Sequence, residues 1–235
     1  TSSLPHFLTS YDYLVSFLSM GKLIDPARTR RAQEARKERA KKILEAAHNA
    51  FTRFPYSEIS LDTLGQHAGV KQGQATLAFR SREALFMTVI QAQLRGWYEA
   101  LEADLSSSDD PLSPEDAADI VASSLAQRPD LTRLLGPLHM AMELHDDGME
   151  IHQFYRWQRE QLLDLAQTMT KRIPGAHQWD CFDVLYRSQL VAAAVHPVSR
   201  PVGNLAVDLM AEEHQVFALD LEDEVRRLVT DCLKD

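Results

Sequence analysis

The material best suited to metal binding lies in residues 139–152, where His139, Glu143, His145, Asp146, Glu150 and His152 fall close together. A zinc site needs such groups to converge at about 2.0–2.2 Å from one ion. Spacings of six and seven put the three histidines on different helical faces, and Asp146–Gly148 reads as a loop between them. These residues read as polar helix ends, and no metal is expected. The two cysteines, Cys181 and Cys232, fit neither a metal quartet nor a disulfide framework and read as reduced thiols of a cytoplasmic protein. There is no phosphate loop and no Ser/His/Asp or Cys/His motif, so no enzyme is expected and no cofactor is implied.

The basic residues offer a different chemistry, since Lys and Arg side chains can pair with phosphates. The net charge of −9 argues against a polyanionic partner until its distribution is read. Residues 27–90 hold 12 Lys/Arg against 6 Asp/Glu, whereas residues 91–235 hold 12 against 26. A basic head on an acidic body suits local phosphate binding, because the contacting surface sets the field that matters. Charge alone fits an unpartnered basic helix equally well.

Those residues need elements to present them. Abundant Ala, Leu, Glu, Gln and Arg, with few Gly and Pro, favour helix throughout, and no hairpin-bounded period-2 strands occur, so the fold class is all-α. Residues 27–42 read as a polar helix or a frayed basic arm. Ile43, Ala46, Ala47, Ala50, Phe51 and Phe54 then recur at helical spacing, and Pro55 stops the run. Ser60 is suited to cap a short helix, Leu61 to Ala68, ended by Gly69. A second short helix is predicted from about Lys71 to Phe79, and Ser81 caps a long one from Arg82 to about Leu105. Further helices are predicted over 114–127, 130–145, 149–173, 177–195 and 221–234. No uncharged apolar run nears the roughly 20 residues of a membrane span. Residues 1–26 carry an apolar helical face (Leu4, Phe7, Leu8, Tyr11, Leu14, Val15, Leu18) but lack the features of a signal peptide.

Ile43-Leu44-Glu45-Ala46-Ala47, Phe51, Ser60, Leu64, Ala68-Gly69-Val70, Gly73, Phe79 and Ser81-Arg82-Glu83-Ala84-Leu85-Phe86 together resemble the DNA-binding domain of the TetR family of transcriptional regulators. The resemblance covers about residues 42–90. It implies a three-helix head with a helix-turn-helix, in which Ser60, Lys71, Gln72, Gln74, Thr76 and Arg82 contact DNA. This sequence departs from the family pattern at Thr76 (usually Tyr), Leu77 (often polar or His), Gly65 (usually Ala) and Pro55 (normally Gly).

The domains read as 1–26, an extension without a counterpart in the family; 27–90, the DNA-binding head with its basic arm; and 91–235, a larger helical part. For that last part the resemblance implies a ligand cavity and a dimer interface. Trp97, Leu101, Met140, Glu143, Phe154, Trp157, Gln158, Phe182 and Tyr186 are the candidate ligand residues, suited to a small apolar or aromatic effector, with Gln161 and Gln189 as further polar partners. On helix 177–195, Trp179, Phe182, Tyr186 and Leu190 form a face expected to serve pocket and core. Leu185, Ser188 and Ala192, with Val225, Leu228 and Val229 of the last helix, are the expected dimer interface; packing in the chain's own core explains the same stripes. The resulting expectation is a homodimeric repressor of palindromic operator DNA, released by its effector. The alternative is a helical ligand-binding or interaction protein that has kept the fold and lost specific DNA binding.

Overall fold

A computed structural model describes residues 26–71, 73–107 and 109–234. Among these residues the chain is all-α, without strands, and divides into two compact units. The first takes the chain up to Gly96 together with His139–Glu150; the second takes Trp97–Leu138 and Ile151 onward. The boundary therefore falls six residues beyond the expected 90, and a short internal segment joins the head's unit. The 1–26 extension lies, apart from Pro26, outside the described residues.

In the first unit, α1 spans Pro26–Phe51. Proline is tolerated at the start of a helix, where its missing N–H would have no partner, and the Ala/Arg/Lys/Glu-rich run after it has high helix propensity. The basic arm is thus the front half of the first head helix. Residues 30–39 are exposed all round. From Ala40 the helix acquires a buried stripe, formed by Ala40, Ile43, Leu44, Ala47 and Phe51. It ends there, so Phe54, expected on the same apolar face, lies past the last turn and is exposed. A single 3₁₀ turn follows at Tyr56–Glu58.

Helices α2 (Leu61–His67) and α3 (Gln74–Phe79) pack against each other and against α1. Ser60 and Thr63 form a reciprocal capping box at the start of α2. Gly69, at φ 64°, takes the left-handed conformation that ends α2, and Val70 N–H donates to Gly65 O. Gly65 is buried beneath α3; a β-carbon there would stand 3.4 Å from Ala75 Cβ, so the departure from Ala permits close helix approach. Helix α4 begins at Arg82, capped by Ser81 Oγ on the Ala84 N–H, and runs to Leu105. Its first turns complete an aromatic core in which Phe86 meets Phe51 and Tyr56 edge-on, each at 5.0 Å between centroids.

The second unit contains α5 (Pro114–Ala126), α6 (Pro129–Leu135), most of α8 (Gly148–Arg172), α9 (Gln178–Ser199), α10 (Gly203–Leu209), a 3₁₀ segment at Glu212–Phe217 and α11 (Leu221–Lys234). Helix α11 packs on α5 and α9, and α9 packs on α6. Arg226 ties α11 to Asp119 of α5, and Lys234 pairs with Glu115. The helix expected over 130–145 is two pieces, because Gly136-Pro137 interrupts it before α7 (Leu138–Glu143). Helix α9 passes through Pro197 and ends at Ser199, four residues beyond its predicted end.

The two faces of α9 are exchanged relative to the expectation. Leu185, Ser188 and Ala192, assigned to a dimer interface, are buried within the single chain, as are Val225 and Val229 of α11; of the six, only Leu228 keeps partial exposure. Small and β-branched side chains let α9 settle closely on α6 and α11, so this stripe goes to the chain's own core. Trp179 and Leu190, assigned to the core, are exposed instead.

Candidate nucleic-acid interface

The head presents α3 on its surface. Ala75 turns inward and is buried, Ala78 and Phe79 are half-buried, and Thr76 and Leu77 point to solvent. Gly73 caps the helix at φ 75°, a left-handed position that places Lys71 in the preceding turn, where it is exposed. Gln74 opens the helix half-buried. The predicted start at Lys71 is thus three residues early, and Gln72 lies outside the described residues. Arg80 closes α3 at φ 54°, the one non-glycine residue with positive φ among the described residues.

Ser60 and Arg82 are committed to the head's own structure. The Ser60 hydroxyl accepts from the Thr63 backbone N–H at 3.2 Å. Arg82 donates from Nε and Nη2 to Glu83 Oε1, at 2.9 and 2.8 Å, and from Nη1 to Ile59 O, while its guanidinium lies 4.4 Å from the centre of the Tyr56 ring. Tyr56 completes the cluster by donating to Glu83 Oε1. Burial, reinforced by the neighbouring carboxylate, pushes the Tyr56 phenol up to about 12. Burial alone would raise the Glu83 carboxyl, but its backbone hydrogen bond, Arg82 and Tyr56 outweigh that and hold it below its ordinary value. No sequence periodicity predicts this cluster, because tertiary folding brings Tyr56 to Arg82 and Glu83.

In residues 139–150 His145 Nε2 and Glu150 Oε2 lie 2.9 Å apart, and Asp147 faces Arg80 at 3.9 Å. Among the described residues no three His, Cys, Asp or Glu side chains form a group that could hold a metal ion.

The candidate effector residues divide between the units. Met140 and Glu143 are exposed in the first. In the second, Trp97, Leu101, Phe154 and Gln158 are buried, and Trp157, Phe182 and Tyr186 are half-buried. A polar node sits among them. Gln189 Oε1 accepts from Tyr98 Oη at 3.2 Å and from Gln158 Nε2 at 3.0 Å, and all three residues are buried. Phe154 and Tyr98 flank Trp157, with centroids 5.7 and 6.0 Å from its own. Trp97 Nε1 donates to Ser124 Oγ, and His196 Nδ1 lies 2.8 Å from Thr132 Oγ1. Burial first, then Arg133 and Arg200, depress His196 to about 4, so it is neutral at pH 7. The fully buried polar side chains of this unit are therefore uncharged. Burial and Asp180 also raise the Cys181 thiol to about 11, an unreactive state.

A three-helix head with an outward second helix of the pair, followed by a larger helical body, defines a transcription regulator of the helix-turn-helix class. The chain belongs to the tetracyclin repressor-like (TetR) family: the family's C-terminal domain matches residues 91–234, complementing the head motifs at 42–90. Among solved structures, the fatty acid degradation regulator FadR from Bacillus halodurans aligns with a TM-score of 0.50 at 14% identity, covering 83% of this chain and 94% of that one. A HlyIIR mutant protein, with residues 170–185 substituted by alanine, aligns with a TM-score of 0.38 at 17% identity over 85% of this chain and 97% of that one. No curated protein matches the chain. No described helix is long and apolar enough to cross a membrane.

Proposed function

We propose that the protein is a homodimeric repressor that binds palindromic operator DNA through Lys71, Gln72, Gln74 and Thr76 and leaves it when a small effector binds the C-terminal helices. The outward presentation of α3 from a basic head supports this reading most directly: Thr76 and Leu77 face solvent, Lys71 stands exposed just before the helix, and residues 30–39 extend the positive surface. Two copies are needed because one six-residue helix spans few base pairs. Phosphate contacts come from Lys71 and the exposed cations of α1; Arg82 serves by fixing the start of α4.

The effector is read as a neutral, apolar or aromatic molecule, held among Trp97, Leu101, Phe154, Trp157, Phe182 and Tyr186. Its polar group exchanges hydrogen bonds with Gln158, Gln189 and Tyr98, the uncharged polar side chains buried there. Coupling to DNA is a shift between two dimer arrangements, only one of which suits the groove spacing and the other of which binds effector better. Helix α4, which starts with the Arg82 cluster and carries Trp97 and Leu101, is the element common to both ends.

Selection from a random duplex library with the full-length protein, followed by titration of the winner at several salt concentrations, tests this directly. A palindromic consensus bound with steeply salt-dependent affinity is expected. Retention of no sequence over background would favour the alternative, a ligand-binding protein that kept the fold and lost its operator, a reading that the apolar Leu77 on the exposed face of α3 otherwise supports.

A further inference from the structure

We propose that Leu77 reads thymine through its 5-methyl group, making it a specificity determinant of the DNA-binding head; the inference rests on the operator-binding reading above. Leu77 is 86% exposed, the highest value among the exposed large apolar side chains of the described residues. Among the described residues it has no packing role, because α3 already holds the head through Ala75, Ala78 and Phe79. Its neighbours on the outer surface are polar or cationic: Lys71, Gln74, Thr76 and Arg80. That setting favours a polyanion over an apolar protein partner, since residues 27–90 carry 12 Lys/Arg against 6 Asp/Glu. Double-stranded DNA offers one apolar group in its major groove, the methyl of thymine, and an aliphatic side chain on a reading helix can cover it. The remaining chemistry of α3 agrees. The helix contains no Arg or Lys to read guanine, and Lys71 before it is taken up by a phosphate on the reading above, whereas Gln74 suits adenine. The half-site under α3 is therefore an A·T step whose thymine methyl meets Leu77 Cδ atoms.

The test uses the duplex selected by the full-length protein, resynthesised with deoxyuridine for thymidine, which deletes the methyl and leaves base pairing unchanged. Wild type is expected to lose about fourfold in affinity per half-site, the worth of one buried methyl, and on the order of tenfold over a palindrome. Leu77→Ala should bind the thymidine duplex more weakly and distinguish the two duplexes by less than twofold. Because Leu77 is exposed, its melting temperature should match wild type. Equal binding of both duplexes by wild type, or full discrimination retained in Leu77→Ala, would overturn the assignment while leaving operator binding intact. Conversion of the protein from dimer to monomer by Leu77→Ala in the absence of DNA would reassign the side chain to a protein contact. Failure of wild type to select any duplex would sink the operator reading itself, and this inference with it.

Discussion

A guanidinium carries five N–H donors, and Arg82 spends three of its five inside the protein, on Glu83 Oε1 twice and on Ile59 O. Its charge is neutralised by the carboxylate at 2.8 Å and its flat face rests on Tyr56, so little remains for a phosphate. Lys71 is the opposite case, exposed and standing at the mouth of α3. The two are separable by salt dependence. Lys71→Ala should lower the slope of log affinity against log salt by about one, whereas Arg82→Ala should leave that slope unchanged and reduce unfolding free energy by about 1–2 kcal/mol. Equal slopes for both variants would place Arg82 on the DNA. His196 gives a second prediction at this scale. Its folded value near 4 lies below its ordinary 6.5, so the unfolded chain binds the extra proton. Stability should therefore be level above about pH 6.5 and fall as pH drops from there towards 4. His196→Asn, which keeps a partner for Thr132, should flatten that part of the profile in denaturant titrations; an unaltered profile would exclude His196 as its source.

Elements were legible in the sequence where a terminus has its own chemistry. Ser60 and Ser81 each begin a helix where a hydroxyl can take an orphan backbone N–H, and α2 and α4 start at the next residue. The apolar stripe of α11 was equally plain. Residues 203–217 were not, because the short helix and 3₁₀ segment there bury no residue and so leave no periodic apolar face. Nor were the faces of α9, where both stripes are apolar and periodicity alone does not choose which turns inward. The end of α3 was hidden for another reason: Arg80 sits at φ 54°, a conformation that residue type does not advertise. That position should be improvable. Arg80→Gly removes the Cβ clash and should raise stability by about 1 kcal/mol, or about 2–4 °C in Tm, whereas Arg80→Ala, still left-handed, should gain nothing. Equal melting temperatures for the glycine and alanine variants would show the backbone strain to be negligible.

For the whole molecule, charge and apolar exposure address different partners. On the proposed operator reading, the basic residues 27–90 rather than the acidic residues 91–235 supply the surface for a phosphate backbone. The apolar surface that remains lies largely on the body, and its location follows from the exchange of faces on α9. With Leu185, Ser188 and Ala192 consumed internally, the available stripe is Trp179 and Leu190, three turns apart, with the half-buried Phe182 and Tyr186 between them. Val207, Met210, Val216 and Phe217 add further exposed apolar area in the same unit. Exposed apolar side chains along one helix face are candidates for association, and the proposed dimer would set this stripe against its own copy across a two-fold axis. Leu190→Arg places a charge in that contact while leaving the internal face untouched. It should weaken the dimer by about 2 kcal/mol, or thirtyfold in dissociation constant, with far-UV circular dichroism unchanged. Palindrome binding should fall with it, and half-site binding should not. A Leu190→Arg protein that sediments as a dimer at wild-type concentrations would return the interface to some other surface, with the stretch around Met210 and Phe217 the next to probe.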